Sequence, residues 1–377
     1  MSRFSYFILT VLFLSFALVP AFASESTLNL AGNGARAAGM GYAFTGVADD
    51  ATAISWNAAG LTQLYSMEAS VIARFGFGSY AYEGWPDAPD VEYASKFNLN
   101  FASFVFPFSV GRFNVVGGVA YRTIYDFNQE ITVKWETGDV VSSSEGGVNA
   151  ISPAIGFQLN DMMSFGATLN IYTGSLKSKS SDDRYGTSYD GSPIDFSGTS
   201  VDVGILLRPN SKFSVGANLN FPNKLKTKME GESDELAVPF FFSVGGAFRA
   251  TDNLLIAFDY FSRSWSKSED FKDEDNPDQY DLNSIHVGLE YLLTSGNAVM
   301  PIRLGFFTNP LFGTLDKDNN QVVDKVITAG IGLVMKKIIL DGAIEFEPSS
   351  IGVTDDISIE QKLFRVTIGA TVHFGQD

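Results

Sequence analysis

Over most of its length this chain alternates between two kinds of residue. Phe364, Val366, Ile368, Ala370, Val372 and Phe374 take turns with Arg365, Thr367, Gly369, Thr371 and His373. Phe213, Val215, Ala217, Leu219 and Phe221 do the same with Ser214, Gly216, Asn218 and Asn220. A period of two puts successive side chains on opposite faces of a strand. A water-soluble sandwich would turn the apolar set inward. Here the second set is rich in Gly and in charges of both signs, which suits a confined polar lumen. The first is rich in Phe, which suits a lipid face. About fourteen such segments follow one another, near 66–83, 95–107, 112–126, 148–159, 163–175, 194–207, 212–226, 237–249, 253–266, 282–293, 299–309, 323–334, 338–347 and 361–374. The number is even, and each segment reaches the ~9–11 residues a tilted strand needs to cross a bilayer. The expected fold is all-β: a transmembrane antiparallel β-barrel of about 14 strands over residues 65–377.

The links between segments point the same way. Links at 84–94, 127–147, 176–193, 227–236, 267–281, 310–322 and 348–360 are long and polar, and they hold 26 of the 43 Asp and Glu residues. The links between them are mostly tight, as at Phe108–Gly111, Asn160–Met162 and Met335–Lys337. Long links at one end and short ones at the other are the pattern of an up-and-down membrane barrel. Only a closed barrel satisfies every backbone group of a sheet in lipid.

The first residues read as an export leader. Arg3 precedes an apolar run from Phe4 to Val19; Pro20 breaks it, and Ala21-Phe22-Ala23 offers a cleavage signal, giving a signal peptide over 1–23. No later run reaches the ~18 apolar residues of a membrane helix. The expected location is therefore the outer membrane of a Gram-negative-type cell, among its lipids. A net charge of −17 argues against nucleic acid as a partner. The absence of Cys removes disulfides and thiolate chemistry. No cofactor is expected, and no enzymatic activity: Ser284 and His286 share a strand face, without a placed acid or an oxyanion element.

Residues 24–64 do not alternate. They run Gly34-Ala-Arg-Ala-Ala-Gly-Met-Gly-Tyr-Ala-Phe-Thr-Gly-Val-Ala-Asp-Asp-Ala-Thr-Ala, then Trp56-Asn57-Ala58-Ala59-Gly60-Leu61. Small residues let backbone pack closely, which suits a plug inside the barrel. These two stretches resemble the opening segment and the Asn-Pro-Ala-Gly stretch of the FadL/TodX family of outer-membrane transporters for hydrophobic compounds. Val238-Pro239, Asp259-Tyr260, Trp265, Val287-Gly-Leu-Glu-Tyr291 and Ile302-Arg-Leu-Gly305 are similar to its barrel. The resemblance implies a fourteen-strand barrel, an N-terminal hatch, and sideways ligand release through a kinked third strand. Ala58 departs from the family, which usually has Pro there. The same opening segment occurs in PorV-like members that act as secretion-associated partner proteins, so the expected function, passive uptake of hydrophobic small molecules such as long-chain fatty acids or aromatic hydrocarbons, has that alternative.

Four groups of residues are candidates for this work. Gly34, Arg36, Gly39, Asp49, Asp50, Asn57, Ala58 and Ala59 belong to the hatch, with Arg36, Asp49 and Asp50 expected to pair with inward charges. Arg122 and Arg263 are candidates for binding a ligand headgroup, because Arg offers a bidentate fork to a carboxylate. Gly117-Gly118, in the third segment, is the expected site of a bend that opens the wall, with Asn57 bonding the strand groups it frees. Asp316, Asp318, Asn320 and Asp324 have spacings like those of a calcium loop, which makes Ca2+ a candidate partner at an outer loop. Trp85, Tyr93, Tyr125, Trp135, Trp265 and Tyr280, near the segment ends, are expected in interface belts. The barrel is expected to be a monomer.

Overall fold

The computed structural model describes residues 32–375 other than 96, 273–275 and 297. The leader over 1–23 and the first residues of the hatch, 24–31, lie outside the described residues. The strands are β1 (Met67–Glu83), β2 (Asp90–Ala94), β3 (Asn98–Val110), β4 (Phe113–Asp126), β5 (Gln129–Trp135), β6 (Gly138–Asn160), β7 (Met163–Asp182), β8 (Thr187–Asp190), β9 (Ile194–Asn210), β10 (Phe213–Asn220), β11 (Asn223–Met229), β12 (Glu232–Val238), β13 (Phe241–Arg249), β14 (Leu254–Arg263), β15 (Leu282–Ser295), β16 (Ala298–Leu315), β17 (Gln321–Met335), β18 (Ile338–Gly352) and β19 (Ser358–Phe374).

They form one closed antiparallel ring of fourteen staves. The order round the wall is β1, β3, β4, β6, β7, β9, β10, β13, β14, β15, β16, β17, β18, β19 and back to β1. The seam is a long ladder, from Met67 opposite Phe374 to Glu83 opposite Ser358. β11 and β12 prolong the β10 and β13 staves outward, while β2, β5 and β8 add strand above the wall. Apolar side chains such as Val71, Phe106, Phe213, Leu304, Ile327 and Ile344 are exposed on the outer face. In lipid that is the favourable arrangement.

The fourteen staves fall where the alternation places them. The long links differ: residues 129–147 form the β5–β6 hairpin, and β7, β16, β18 and β19 run several residues beyond the segments read from sequence. Several of the terminal aromatics also differ from expectation. Trp265 is buried inside the outer half of the barrel with Phe241, Phe271 and Phe312, and Tyr125 and Tyr280 pack on that cluster. Tyr93 and Trp135 pack on a second inner cluster around Tyr80 and Leu363. Interior contact, rather than the bilayer interface, holds these rings.

Residues 32–64 lie within the ring. α1 (Ala35–Gly39) and α2 (Ala53–Trp56) are single turns, followed by a 3-10 turn over Ala58–Gln63. Nearly every residue here is buried. The wall receives them on glycine. A Cβ added at Gly305 would lie 2.0 Å from the Gly41 nitrogen, at Gly166 2.1 Å from that of Ala59, at Gly216 2.3 Å from the Thr45 oxygen and at Gly288 2.5 Å from the Met40 oxygen. The inward-facing glycines of the alternation are thus a seat for hatch backbone. Gly118 belongs to it too, since its Cβ would meet Ile54 at 3.1 Å.

Candidate functional site

The hatch is tied to the wall by buried polar bonds. Arg36 donates both sides of its fork to Glu290 at 2.8 Å, and a third nitrogen donates to Asp49 at 2.5 Å. Glu290 also accepts from Arg303 at 2.7 Å, and Arg303 reaches Asp341 at 2.6 Å. Arg36 therefore meets an inward carboxylate, as expected. Asp49 and Asp50 instead turn back on the hatch: Asp49 to Arg36, and Asp50 as acceptor for the Thr52 N–H and hydroxyl. Tyr42 donates to Glu345 at 2.6 Å, and Arg74 and Arg365 flank that carboxylate. Asp259 accepts the backbone N–H groups of Phe44 at 2.8 Å and Thr45 at 2.6 Å. Such charges persist in an enclosed space because they are paired and hydrogen-bonded.

Asn57 donates to the Ile205 carbonyl at 2.9 Å and the Thr45 carbonyl at 3.1 Å, and its oxygen accepts from Ala59. Its wall contact is on β9, not beside Gly117-Gly118. Ala58 opens the 3-10 turn, where the first N–H groups have no partner within the turn, so the turn forms without the family's Pro. Gly34 takes φ 136°, a conformation that favours glycine, and enters α1. A Cβ on Gly39 would sit 3.0 Å from the Gly330 Cα.

Above the hatch is a cavity of about 90 Å³. Trp56 forms part of its floor, with Tyr125, Tyr172, Phe241 and Phe261 among its walls. Arg122 and Arg263, far apart in sequence, both line it. Arg122 is paired with Asp202 at 3.2 Å, and its Nε is buried without a hydrogen-bond partner among the described residues. Arg263 lies 5.7 Å from the centre of the Phe261 ring. The lining also carries Asn170, Asn218, Asn223 and Ser243, a polar set that sequence reading did not single out. Those residues sit on the inward parity of their strands, which is the signal that marks them. Outward of the cavity lies the Trp265 cluster, so an aromatic column leads from the long-loop end towards the Arg residues.

Two expectations are corrected. At Gly117 and Gly118 the ladders to β3 and to β6 pass in register, without a bulge. The register shift of β4 lies at Thr123–Tyr125, and the β6–β7 ladder is interrupted between the Ile151–Ile171 and Ala154–Thr168 pairs. Pro153 stands in that gap. Having no N–H, it removes a ladder donor in mid-wall, which a pair of glycines does not do. The calcium loop is likewise not formed. Asp316 accepts the backbone N–H groups of Asn320 at 2.8 Å and Asp318 at 2.9 Å. Those bonds hold its carboxyl below the usual range. Asp324 is buried in β17, opposite Asn309. Among the described residues no cluster of three or more His, Cys, Asp or Glu has the geometry to hold a metal. The Asp spacing encodes a turn cap.

Ser284 and His286 do meet, at 2.8 Å, and the other ring nitrogen of His286 bonds the Gly41 carbonyl at 2.8 Å. Both are buried, and neither lines the cavity. They form one more tie between wall and hatch.

The family model described as outer membrane protein transport protein (OMPP1/FadL/TodX) matches residues 16–304. The chain belongs to that family. Among solved structures it is similar to the toluene transporter TodX of P. putida (TM-score 0.66, 13% identity, 93% of this chain and 100% of that one). It is also similar to a Pseudomonas aeruginosa FadL homologue (TM-score 0.62, 14% identity, 91% and 99%). The CymD monoaromatic hydrocarbon channel gives a TM-score of 0.60 at 16% identity, over 93% and 99%. At such identities the likeness is one of fold. No curated protein sequence matches the chain.

Proposed function

We propose that this family member carries hydrophobic small molecules passively through the outer membrane, and that the hatch and one segment of wall move to let them pass. The observation that carries the reading is the aromatic column of the outer lumen, ending on a cavity floored by Trp56 and lined by Arg122 and Arg263. At about 90 Å³ the cavity is smaller than the roughly 150 Å³ that admits benzene. Loading therefore requires Trp56, and the hatch with it, to give way. The unpartnered Nε of Arg122 would receive an acceptor on the ligand, such as a carboxylate, with the charge of Arg263 on the same lining.

Release sideways fits the wall at Pro153. The gap there lies beside Asn170 and Tyr172 of the cavity, and Leu169 and Ile171 on the same stretch of β7 face lipid. A ligand leaving there would pass from the cavity into the bilayer without crossing water. The relatives named above are a toluene transporter and a monoaromatic hydrocarbon channel; fatty acids and aromatic hydrocarbons are the classes to try first.

The test is uptake of radiolabelled toluene and oleate by cells expressing the chain, beside vector-only cells. Uptake at least severalfold faster for one class is expected. Background rates for both, with a folded barrel that instead purifies in a stable complex with another protein, would overturn the reading and favour a secretion-associated role.

A further inference from the structure

One stretch of wall is basic on its outer face, in a chain of net charge −17. Lys224, Lys226 and Lys228 of β11 are exposed, while Leu225 and Thr227 between them are buried. The three lysines therefore point away from the lumen. They stand just above the lipid-facing surface of their own stave, where Phe213, Val215, Leu219 and Phe221 are exposed. Directly below them runs a row of rings across three staves. Phe221 lies 6.4 Å from Phe240, Phe240 6.3 Å from Phe242, and Phe242 6.1 Å from Tyr260. Outward aromatics of this kind mark the level where acyl chains give way to headgroups. At ~3.3 Å per residue, Lys224 and Lys226 lie within the headgroup layer.

The neighbours on β9 and β7 are hydroxyls. Lys226 pairs in register with Ser197, which pairs in turn with Thr173. Thr199 stands one rung lower, opposite Ile171. The carboxylates are too few to neutralise the lower lysines. Glu235 serves both Lys224, at 2.6 Å, and Lys226, at 3.8 Å. One anion shared by two cations leaves a surplus of positive charge. Higher up, Asp195 stands opposite Lys228, and on β7 Lys177 and Lys179 stand opposite Glu145 and Asp190.

We infer that Lys224 and Lys226, with the hydroxyls of Ser197, Thr199 and Thr173, bind the phosphate of an outer-leaflet lipid whose acyl chains lie on the Phe221–Phe240–Phe242 row. The lysines supply charge and several donors, and the hydroxyls supply neutral donors to the remaining phosphate oxygens. Lysine stems lie along the apolar surface while their heads reach the phosphate. The ring row commits the site to a lipid, because a free phosphate has no use for it. The site is on the outside of the wall, separate from the cavity and independent of what the cavity carries.

The experiment is native mass spectrometry of the full-length barrel in detergent, titrated with lipid A and with its dephosphorylated form. Lipid A should be retained at a concentration at least tenfold lower than the dephosphorylated lipid. Lys224→Gln with Lys226→Gln should remove most of that preference, whereas Lys212→Gln, at the short-turn end, should leave it unchanged. Lys224→Arg with Lys226→Arg should keep it. Equal retention of the two lipids by the unaltered protein would overturn the inference without recourse to any variant. So would an unchanged preference in the folded double Gln variant, or displacement of lipid A by inorganic phosphate at equal concentration.

Discussion

Replacing Gly305 by Ala should loosen the hatch while leaving the barrel closed. The added methyl carbon would lie 2.0 Å from the Gly41 nitrogen and 2.4 Å from the Met40 carbonyl carbon, both backbone atoms that cannot swing aside. Ordinary contact begins near 3.4 Å, so this loop of the hatch must retreat by about 1.4 Å. Overpacking of this kind costs about 1–3 kcal/mol. The retreat also stretches two bonds made by Gly41, its N–H to Thr328 at 3.0 Å and its carbonyl to His286 at 2.8 Å. At about 1 kcal/mol each, the total is roughly 3–5 kcal/mol. Every 1.4 kcal/mol is tenfold, so displaced hatch states should rise by roughly a hundredfold or more. In a planar bilayer the variant should show frequent ion-conducting openings where the unaltered protein is nearly silent. Gly342→Ala is the control, since nothing lies within 4 Å of its added carbon. If the Gly305 variant migrates as a folded barrel yet conducts like the Gly342 variant, the glycine seat does not hold the hatch and the reasoning fails.

Trp56→Ala should cost about 3–5 kcal/mol of stability and enlarge the cavity beyond the size of benzene; xenon or benzene bound there in a crystal would establish it, and an unchanged, empty cavity would refute it. Pro153→Val restores a ladder donor and should raise the melting temperature by a few degrees while slowing lateral release of a preloaded ligand into vesicles. Unaltered release from that variant would move the exit elsewhere. Ala58→Pro should be neutral or stabilising by up to about 1 kcal/mol, because Asn57 at φ −166° and ψ 98° is extended and so already outside the α region that a following Pro disfavours. A marked loss of thermal stability would show that the position needs its N–H.

Fold was legible because lipid and lumen demand opposite residue types. In Phe364–Phe374 each residue declares its side. The strands above the bilayer carry no such contrast: Ser142, Ser143 and Ser144 of β6 are half-buried polar residues on both faces, and they read as loop. The hatch was legible from its Gly and Ala and from its likeness to a family. The partner of Arg36 was not, because Glu290 lies 254 residues away among several inward carboxylates. Arg122 and Arg263 were each visible as inward charges, and only the ring closure brings them to one cavity. Gly117-Gly118 is the pair whose composition permits a bend, yet the interrupted ladder lies at Pro153, which lacks the donor. The acidic spacing at 316–324 failed for a different reason. A carboxylate two and four residues before free backbone N–H groups caps its own turn before any ion is needed.

The seam between β1 and β19 fixes the order in which this molecule is assembled. Hatch residues come first along the chain, but Arg36, Tyr42 and Gly41 find their partners on β15 to β18, more than 240 residues later. Contacts of such separation carry a large loop-closure cost and form late. The hatch therefore reaches the membrane without its seat, a Gly- and Ala-rich segment waiting for walls. The final ladder can zip only when the last strand meets the first, and the plug must already be inside when it does. A chain shortened before Ser358 would keep thirteen staves and both halves of most hatch bonds, yet leave two open sheet edges in lipid. Closure of the wall thus depends on the seventeen residues of β19, which pair with β18 on one side and β1 on the other.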